Sequence, residues 1–316
     1  MEHILCWLCG RDETELMFTR RDFAYRISAE AFCVVRCRNC GLVYVNPRPT
    51  ETEIHDYYTD GFYDVAVAPE QLMREKSRQL QLKFSYVKDL APGRLLDIGC
   101  QKGEFMFYMN QCGWDVFGME FSEKPPNLFD QRIHYGSLES AEYAAESFDL
   151  VTLWAVLEHD YDPLGTLRRV WELLKPGGVV VVLVTNFNSP PARLMRHDDI
   201  PRHTTLFTRR TLGRTLRHAG FSKARFEWNS ELYGGSNRGI LNYLAKLGVG
   251  EQIEDIVAVN RSTTRWSEFS SMLHGTPSRL MERIDRWDIA LSPRIDRWMD
   301  RIHLGFIMLA RATKSD

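Results

Sequence analysis

The chain has 316 residues, with 40 Lys+Arg against 42 Asp+Glu and a formal net charge of −2. Hydrophobic residues at 44% and charged residues at 26% are ordinary for a globular protein long enough to bury a core, and the balance excludes a grip on nucleic acid through bulk positive charge. The longest apolar run, residues 179–184 (VVVVLV), is too short to span a bilayer, and no basic segment followed by a long apolar stretch opens the sequence, so a cytoplasmic protein is expected.

The first unit covers residues 1–48. Two pairs, Cys6-x2-Cys9 and Cys37-x2-Cys40, are separated by 27 residues, and each is followed by a glycine. In a reducing compartment this spacing reads as metal binding, because two glycine-ended knuckles can aim four thiolates at one tetrahedral Zn2+. The alternative is four cysteines buried as small hydrophobes. Short strands are predicted at 15–19, 32–36 and 42–45. So small a unit needs a metal to fold, and a structural zinc would supply the missing stability.

Asn46-Pro47-Arg48-Pro49 stops regular structure. Residues 49–93 then form a tyrosine-rich linker (Tyr57, Tyr58, Tyr63) and a helix over 69–90, expected to cover a cleft. From residue 94 strands alternate with helices: strands at 95–98, 114–119, 133–135, 148–154, 179–184, 221–228 and 306–310, and helices at 104–111, 162–174 and 211–219. The alternation predicts an α/β fold with a doubly wound, mostly parallel sheet over a core of residues 94–235. Residues 236–303 interrupt it as a helical insertion before the last strand at 304–316. Arg-Ile-Asp-Arg-Trp occurs at 283–287 and again at 294–298. Ser292-Pro293 is expected to start a second helix there. The apolar stripe through Leu280, Ile284, Trp287, Leu291, Ile295, Trp298 and Ile302 reads as core packing, or else as a membrane-surface or partner contact.

Chemistry concentrates in LLDIGCQKGEF at 95–105, a glycine turn between a strand and a helix at the carboxyl edge of the sheet, where backbone can approach a ligand. Seventeen residues after Gly103, Glu120 ends the next strand, where a carboxylate can accept two hydrogen bonds from a ribose diol. LLDIGCQKG, VFGMEFS, FDLVTLWAVLEH, LKPGG and LFTRRTL…AGF, in that order, resemble the class I S-adenosylmethionine-dependent methyltransferases, over about residues 80–230 plus the last strand. The N-terminal ribbon ending in NPRPT resembles the sugar C-methyltransferase subgroup. The resemblance implies a Rossmann-like seven-stranded sheet. It also implies that Asp97, Gly99, Gln101 and Gly103 line the methionine part of S-adenosylmethionine, that Glu120 holds the ribose and that Phe121 lies against the adenine. Ser137 and Leu138 would edge the adenine pocket, and Trp154 would face the sulfonium. The family turn is G-x-G-x-G, and Gln101 stands at its middle glycine. An ordinary conformation at Gln101 would merely alter affinity; the other reading is a decayed cofactor site.

Methyl transfer needs placement and, for most acceptors, a base. His159 with Glu158, after the fourth strand, and His203, in the loop after the fifth, are the candidates, with Tyr63 from the linker. Against these stand a capping or packing role for Glu158 and His159 and a loop hydrogen bond for His203. His197 is a weaker candidate. The expected acceptor is a small molecule, an activated (nucleotide-linked) sugar. One alternative is an RNA methyltransferase using the ribbon, although seven arginines in residues 1–48 are nearly balanced by six acidic residues. Another is a non-catalytic protein that uses the fold as an interaction platform.

Overall fold

The computed structural model describes residues 1–22, 27–58, 69–121, 132–194, 199–233 and 278–315. Three strands, β1 (Thr14–Arg21), β2 (Ala31–Cys37) and β3 (Val43–Val45), form an antiparallel sheet near the N-terminus. Strand alternation divides its side chains between two clusters. Val35, Cys37, Leu42 and Tyr44 face the Cys6/Cys40 side, whereas Phe32, Val34, Val43 and Val45 pack with Phe187, Ile200 and Leu206. The sheet takes its fourth strand from far along the chain.

Helix α1 (Pro69–Ser85), with Pro69 at its first position, precedes the large sheet. Then come β4 (Arg94–Ile98), α2 (Glu104–Gln111), β5 (Asp115–Glu120), β6 (Ile133–Tyr135), β7 (Phe148–Trp154), α3 (Pro163–Leu173) and β8 (Leu174–Thr185). Asp162 caps α3 by accepting from the Gly165 N–H. After α4 (Pro190–Leu194), β9 (Thr205–Leu206) pairs with β3 and so joins the N-terminal sheet. Helix α5 (Arg209–His218), opened by a Thr208/Thr211 capping box, leads to β10 (Ala224–Trp228). Helix α6 (Ser278–Arg301) and β11 (Ile307–Thr313) complete the described chain.

The large sheet has seven strands in the order β10-β11-β8-β7-β4-β5-β6. Pairs from β8 to β6 are parallel, and β11 runs antiparallel to β8 and β10. This is the doubly wound α/β fold expected from the alternation. Strand β8 shows why its sequence is continuously apolar: Val180, Val182 and Val184 enter the core on one face, and Val179, Val181 and Leu183 enter it on the other. The chain builds outward from β4 to β6 and returns to β7 on the other side of β4, so the topological switch lies between β4 and β7. A ligand crevice belongs at the carboxyl end of that pair.

Two expectations for the insertion are corrected. Ser292-Pro293 does not start a new helix; α6 runs through Pro293. Asp288, Ser292 and Asp296 are buried at successive four-residue steps, so one face stays packed across the proline and offsets the backbone hydrogen bond that proline cannot make. Nor is the stripe buried as core: Trp287, Leu291, Trp298 and Ile302 are exposed and Ile284 and Ile295 are half-buried, whereas the polar Asp288, Ser292 and Asp296 are buried. The rest of the insertion, 236–277, lies outside the described residues. Among those described, no helix is long and apolar enough to cross a membrane.

Candidate active site

At the β4/β7 switch the turn after β4 is held by its neighbour strand. The N–H groups of Gly99 and Cys100 both donate to the Met119 carbonyl, at 2.8 and 3.0 Å. Gly99 has φ 68°, and a Cβ there would stand 2.5 Å from Val156 Cγ2. Only glycine allows both that turn and this contact, which braces the β4 turn against the segment leaving β7. Gly103, with φ 76°, starts α2.

Gln101 has φ 51°, so the ordinary conformation expected for it is overturned. It occupies the left-handed region that a glycine would take without strain, at a backbone cost of about 1–2 kcal/mol. One contact holding it there is visible, since its N–H donates to Glu120 Oε2 at 2.8 Å. Ala155, directly after β7, is also left-handed, with φ 58°. Two strained non-glycine residues thus flank the switch, a pattern that clusters at ligand sites.

Between these turns opens a solvent-connected cleft. Asp97, Gly99, Gln101 and Trp154, all named from sequence, line it together with Glu104 and Phe105. Asp97 is buried and accepts from Thr152 Oγ1 at 2.6 Å. Burial pushes its carboxyl up to about 7; Lys83 and the Thr152 hydroxyl pull it down, and Glu104 and Glu120 push it up. Three acidic side chains, Asp97, Glu104 and Glu120, are buried together here, a grouping that favours a cation. The Lys83 ammonium sits 5.0 Å from the Trp154 ring centre and 5.8 Å from that of Phe105. The two rings meet edge to face at 5.1 Å. The aromatic wall is therefore already arranged around a positive charge.

Glu120 is buried beside the cleft at the end of β5. The Gly136 N–H donates to the Glu120 carbonyl at 2.9 Å, which holds the loop carrying Ser137 and Leu138 along the same edge. Ser137 is exposed, Leu138 is buried in the main core, and Phe121 is half exposed. Tyr63 and His197 lie outside the described residues. Sequence reasoning missed the residues that distant segments bring to the cleft. These are Gln79 and Lys83 of α1, and Leu232 and Tyr233 of a short turn, Ser230–Tyr233. Only a cationic residue on the apolar-periodic α1 could have hinted at Lys83.

Beyond Val156 the segment after β7 reaches a second group. The His159 and His203 rings pack edge to face with centres 4.6 Å apart. His159 Nδ1 lies 3.2 Å from the Arg202 carbonyl and 3.2 Å from Tyr58 Oη. With Nδ1 donating to the Arg202 carbonyl, the lone pair falls on Nε2. Burial lowers the His159 pKa, which keeps the ring neutral near neutral pH. Glu158 is fully buried behind this pair; its Oε1 accepts from the Thr185 N–H at 3.2 Å, and burial pushes its carboxyl up to about 7.

The loop carrying His203 is anchored by Arg202, which is wholly buried. Arg202 pairs with Asp22 at 2.8 Å and Asp199 at 2.8 Å and donates to the Tyr57 carbonyl at 2.8 Å. The fourth cluster is Cys6, Cys9, Cys37 and Cys40, whose Sγ atoms all lie within 4.8 Å of one another. Four sulfurs around zinc at about 2.3 Å stand roughly 3.8 Å apart, so this donor set fits a tetrahedral ion. In each knuckle a glycine N–H returns to the first cysteine's carbonyl, Gly10 to Cys6 at 2.7 Å and Gly41 to Cys37 at 2.9 Å, with φ 70° and 80° at the glycines.

Comparison with known proteins adds the following. The methyltransferase-domain family matches residues 63–224, just over half of the chain. A ubiquinone biosynthesis O-methyltransferase of Aromatoleum aromaticum is 37% identical over 109 residues, which are 31% of this chain and 47% of that protein. One from Haemophilus ducreyi is 32% identical over 123 residues, 33% of this chain and 52% of that protein. The chain thus spans about half the length of the curated relatives it matches. Among solved structures, a SAM-dependent methyltransferase from Archaeoglobus fulgidus is similar at 16% identity and TM-score 0.46, covering 76% of this chain and 94% of that one. A phosphoethanolamine N-methyltransferase from Haemonchus contortus, bound to S-adenosyl-L-methionine, is similar at 15% identity and TM-score 0.48, covering 76% and 53%. The seven-stranded sheet, the glycine turn at its switch point and the family match lead to one statement: the chain belongs to the methyltransferase-domain family.

Proposed function

We propose that the protein methylates a hydroxyl group of a small molecule, using S-adenosylmethionine in the β4/β7 cleft and His159 as proton acceptor. Bound S-adenosylmethionine supplies an electrophilic methyl group on a sulfonium. Asp97 and the Gly99 turn receive the amino-acid end of the cofactor, and the carboxylates around them favour its cationic character. Glu120 accepts from the ribose hydroxyls. Trp154 lines the cleft where a sulfonium gains from an aromatic face. Gln101, Gly103, Phe121, Ser137 and Leu138 set the backbone and adenine edge. His159 takes the acceptor's proton at Nε2; His203 and Tyr58 orient the ring, and Glu158 positions the segment from behind.

The observation that carries this reading is the continuity of residues 154–159. They begin at the cleft with Trp154, touch the Gly99 turn through Val156 and end at His159, whose Nδ1 lies against the Arg202 carbonyl. Relatives bearing O-methyltransferase names favour a hydroxyl acceptor. The nucleotide-linked sugar suggested by the ribbon is one such acceptor, and a phenol is another. The same reading gives Cys6, Cys9, Cys37 and Cys40 a structural Zn2+. It treats residues 1–48, 49–93, 94–235, 236–303 and 304–316 as ribbon, cleft cover, core, insertion and last strand.

The test is methyl transfer to a panel of phenols, nucleotide-linked sugars and RNA. Turnover is expected on a hydroxyl-bearing small molecule. His159→Asn should lower kcat by about 10²–10⁴-fold and abolish the acid limb of the pH–rate profile. Methylation of RNA alone, or full activity in His159→Asn, would contradict the proposal.

A further inference from the structure

Helix α6 distributes its residues in the reverse of a core helix. Among its described side chains the buried ones are Asp288, Ser292 and Asp296, at 2–6% exposure, while Trp287 and Trp298 are 60% and 56% exposed. Trp287, Leu291, Trp298 and Ile302 follow steps of four, seven and four residues, which at helical spacing place them in one stripe about 60° wide. Arg283, Arg294, Arg297 and Arg301 are exposed on the same side of the helix. Among the described residues of α6, Asp288 and Asp296 are buried on the opposite side, and Asp300 is turned inward onto Ser230, whose N–H and Oγ it accepts at 3.0 and 2.9 Å. The exposed face is therefore both apolar and cationic.

The C-terminal end of the helix is also anchored. Besides the Asp300–Ser230 contact, His303 at the helix end stacks on Trp228 of β10 with ring centres 4.3 Å apart. Ser230 opens the turn whose Leu232 and Tyr233 line the cleft. The presented stripe is thus coupled to the wall of the candidate active site.

We propose that this face of α6 docks on an anionic phospholipid surface, the tryptophans entering the headgroup boundary and the arginines meeting lipid phosphates. An apolar stripe with exposed tryptophan suits the bilayer interface, where an amphipathic ring sits between hydrocarbon and water. Arginines beside it gain from a negative surface. A second copy of the chain fits less well, because a two-fold contact through this stripe would bring the two arginine rows together. The inference does not depend on which acceptor is methylated.

The test uses the 316-residue chain and sedimentation with unilamellar vesicles of phosphatidylcholine alone or mixed equally with phosphatidylglycerol. Binding to the mixed vesicles is expected, weakened by salt, with little binding to phosphatidylcholine alone. Arg294→Glu with Arg297→Glu should reduce partitioning by at least about thirtyfold, since each charge contributes about 1 kcal/mol at such a surface. Trp287→Ser with Trp298→Ser should reduce it at least about tenfold, with the circular dichroism spectrum and cofactor binding unchanged in both pairs. No binding to the mixed vesicles, or binding indifferent to both pairs, would overturn the proposal. So would a wild-type dimer that the tryptophan pair dissolves without any lipid partitioning, or retention of RNA in place of vesicles.

Discussion

Asp97 combines burial with a function that needs its charge. In the free protein burial raises its carboxyl to about 7, so near pH 6.5 a large fraction is protonated. A folded-state value above the unfolded one gives a contribution to stability that is complete below about pH 4 and is lost as the pH rises through about 7. A cation placed against Asp97 reverses the preference and expels the proton. Calorimetric titration of cofactor near pH 6.5, in buffers of different ionisation enthalpy, should therefore show proton release that disappears in Asp97→Asn; heats independent of the buffer would contradict this. Asp97, Gly99 and Glu120 were legible in the sequence because they lie within one strand–turn–helix and one strand end. The conformation of Gln101 was not, since a side-chain identity does not report φ when a hydrogen bond from a neighbouring strand end, here Glu120, holds the residue in the less favoured region. Lys83 and Tyr233 escaped notice for another reason: they reach the cleft from segments about 15 residues before and 130 after the glycine turn, and nothing local marks them.

At the scale of elements, the N-terminal ribbon and the loop bearing His203 behave as one structure. Strand β9 completes the ribbon sheet, Trp7 Nε1 donates to Thr205 Oγ1 at 3.1 Å, and Arg202 bonds across to Asp22. Arg202→Ala leaves the Asp22 carboxylate buried without this partner, a loss of about 3–5 kcal/mol expected in urea unfolding. The zinc assignment predicts close to one equivalent of zinc in fresh protein. Its removal by a chelator should lower the melting temperature and slow methyl transfer together, because the ribbon carries the His203 loop. Less than about half an equivalent, or a stripped protein with unchanged melting, would count against the four-cysteine site. Six strands of the large sheet were readable from their pattern, and the seventh, β8, from its unbroken valines. A two-residue strand such as β9 has no periodicity to read, so the join between ribbon and core was invisible. Helix α6 misled for a physical reason: a Trp/Leu/Ile stripe reads as core by default, and only tertiary packing shows that the opposite, polar face is the buried one.

The whole molecule separates its charge by task. A formal net charge of −2 hides a carboxylate-lined cleft at one sheet edge and an arginine-flanked tryptophan stripe on α6. The acidic cleft suits a cationic cofactor, whereas the basic stripe suits an anionic surface, and the turn Ser230–Tyr233 connects the two. The central claim is that the cleft between β4 and β7 holds S-adenosylmethionine. Titration calorimetry of the 316-residue chain with S-adenosylmethionine tests it most directly. One site with a dissociation constant in the micromolar range is predicted, weakened more than about tenfold in Glu120→Ala, because the ribose loses its charged acceptor. An absence of binding at millimolar cofactor, or equal affinity in Glu120→Ala, would contradict it.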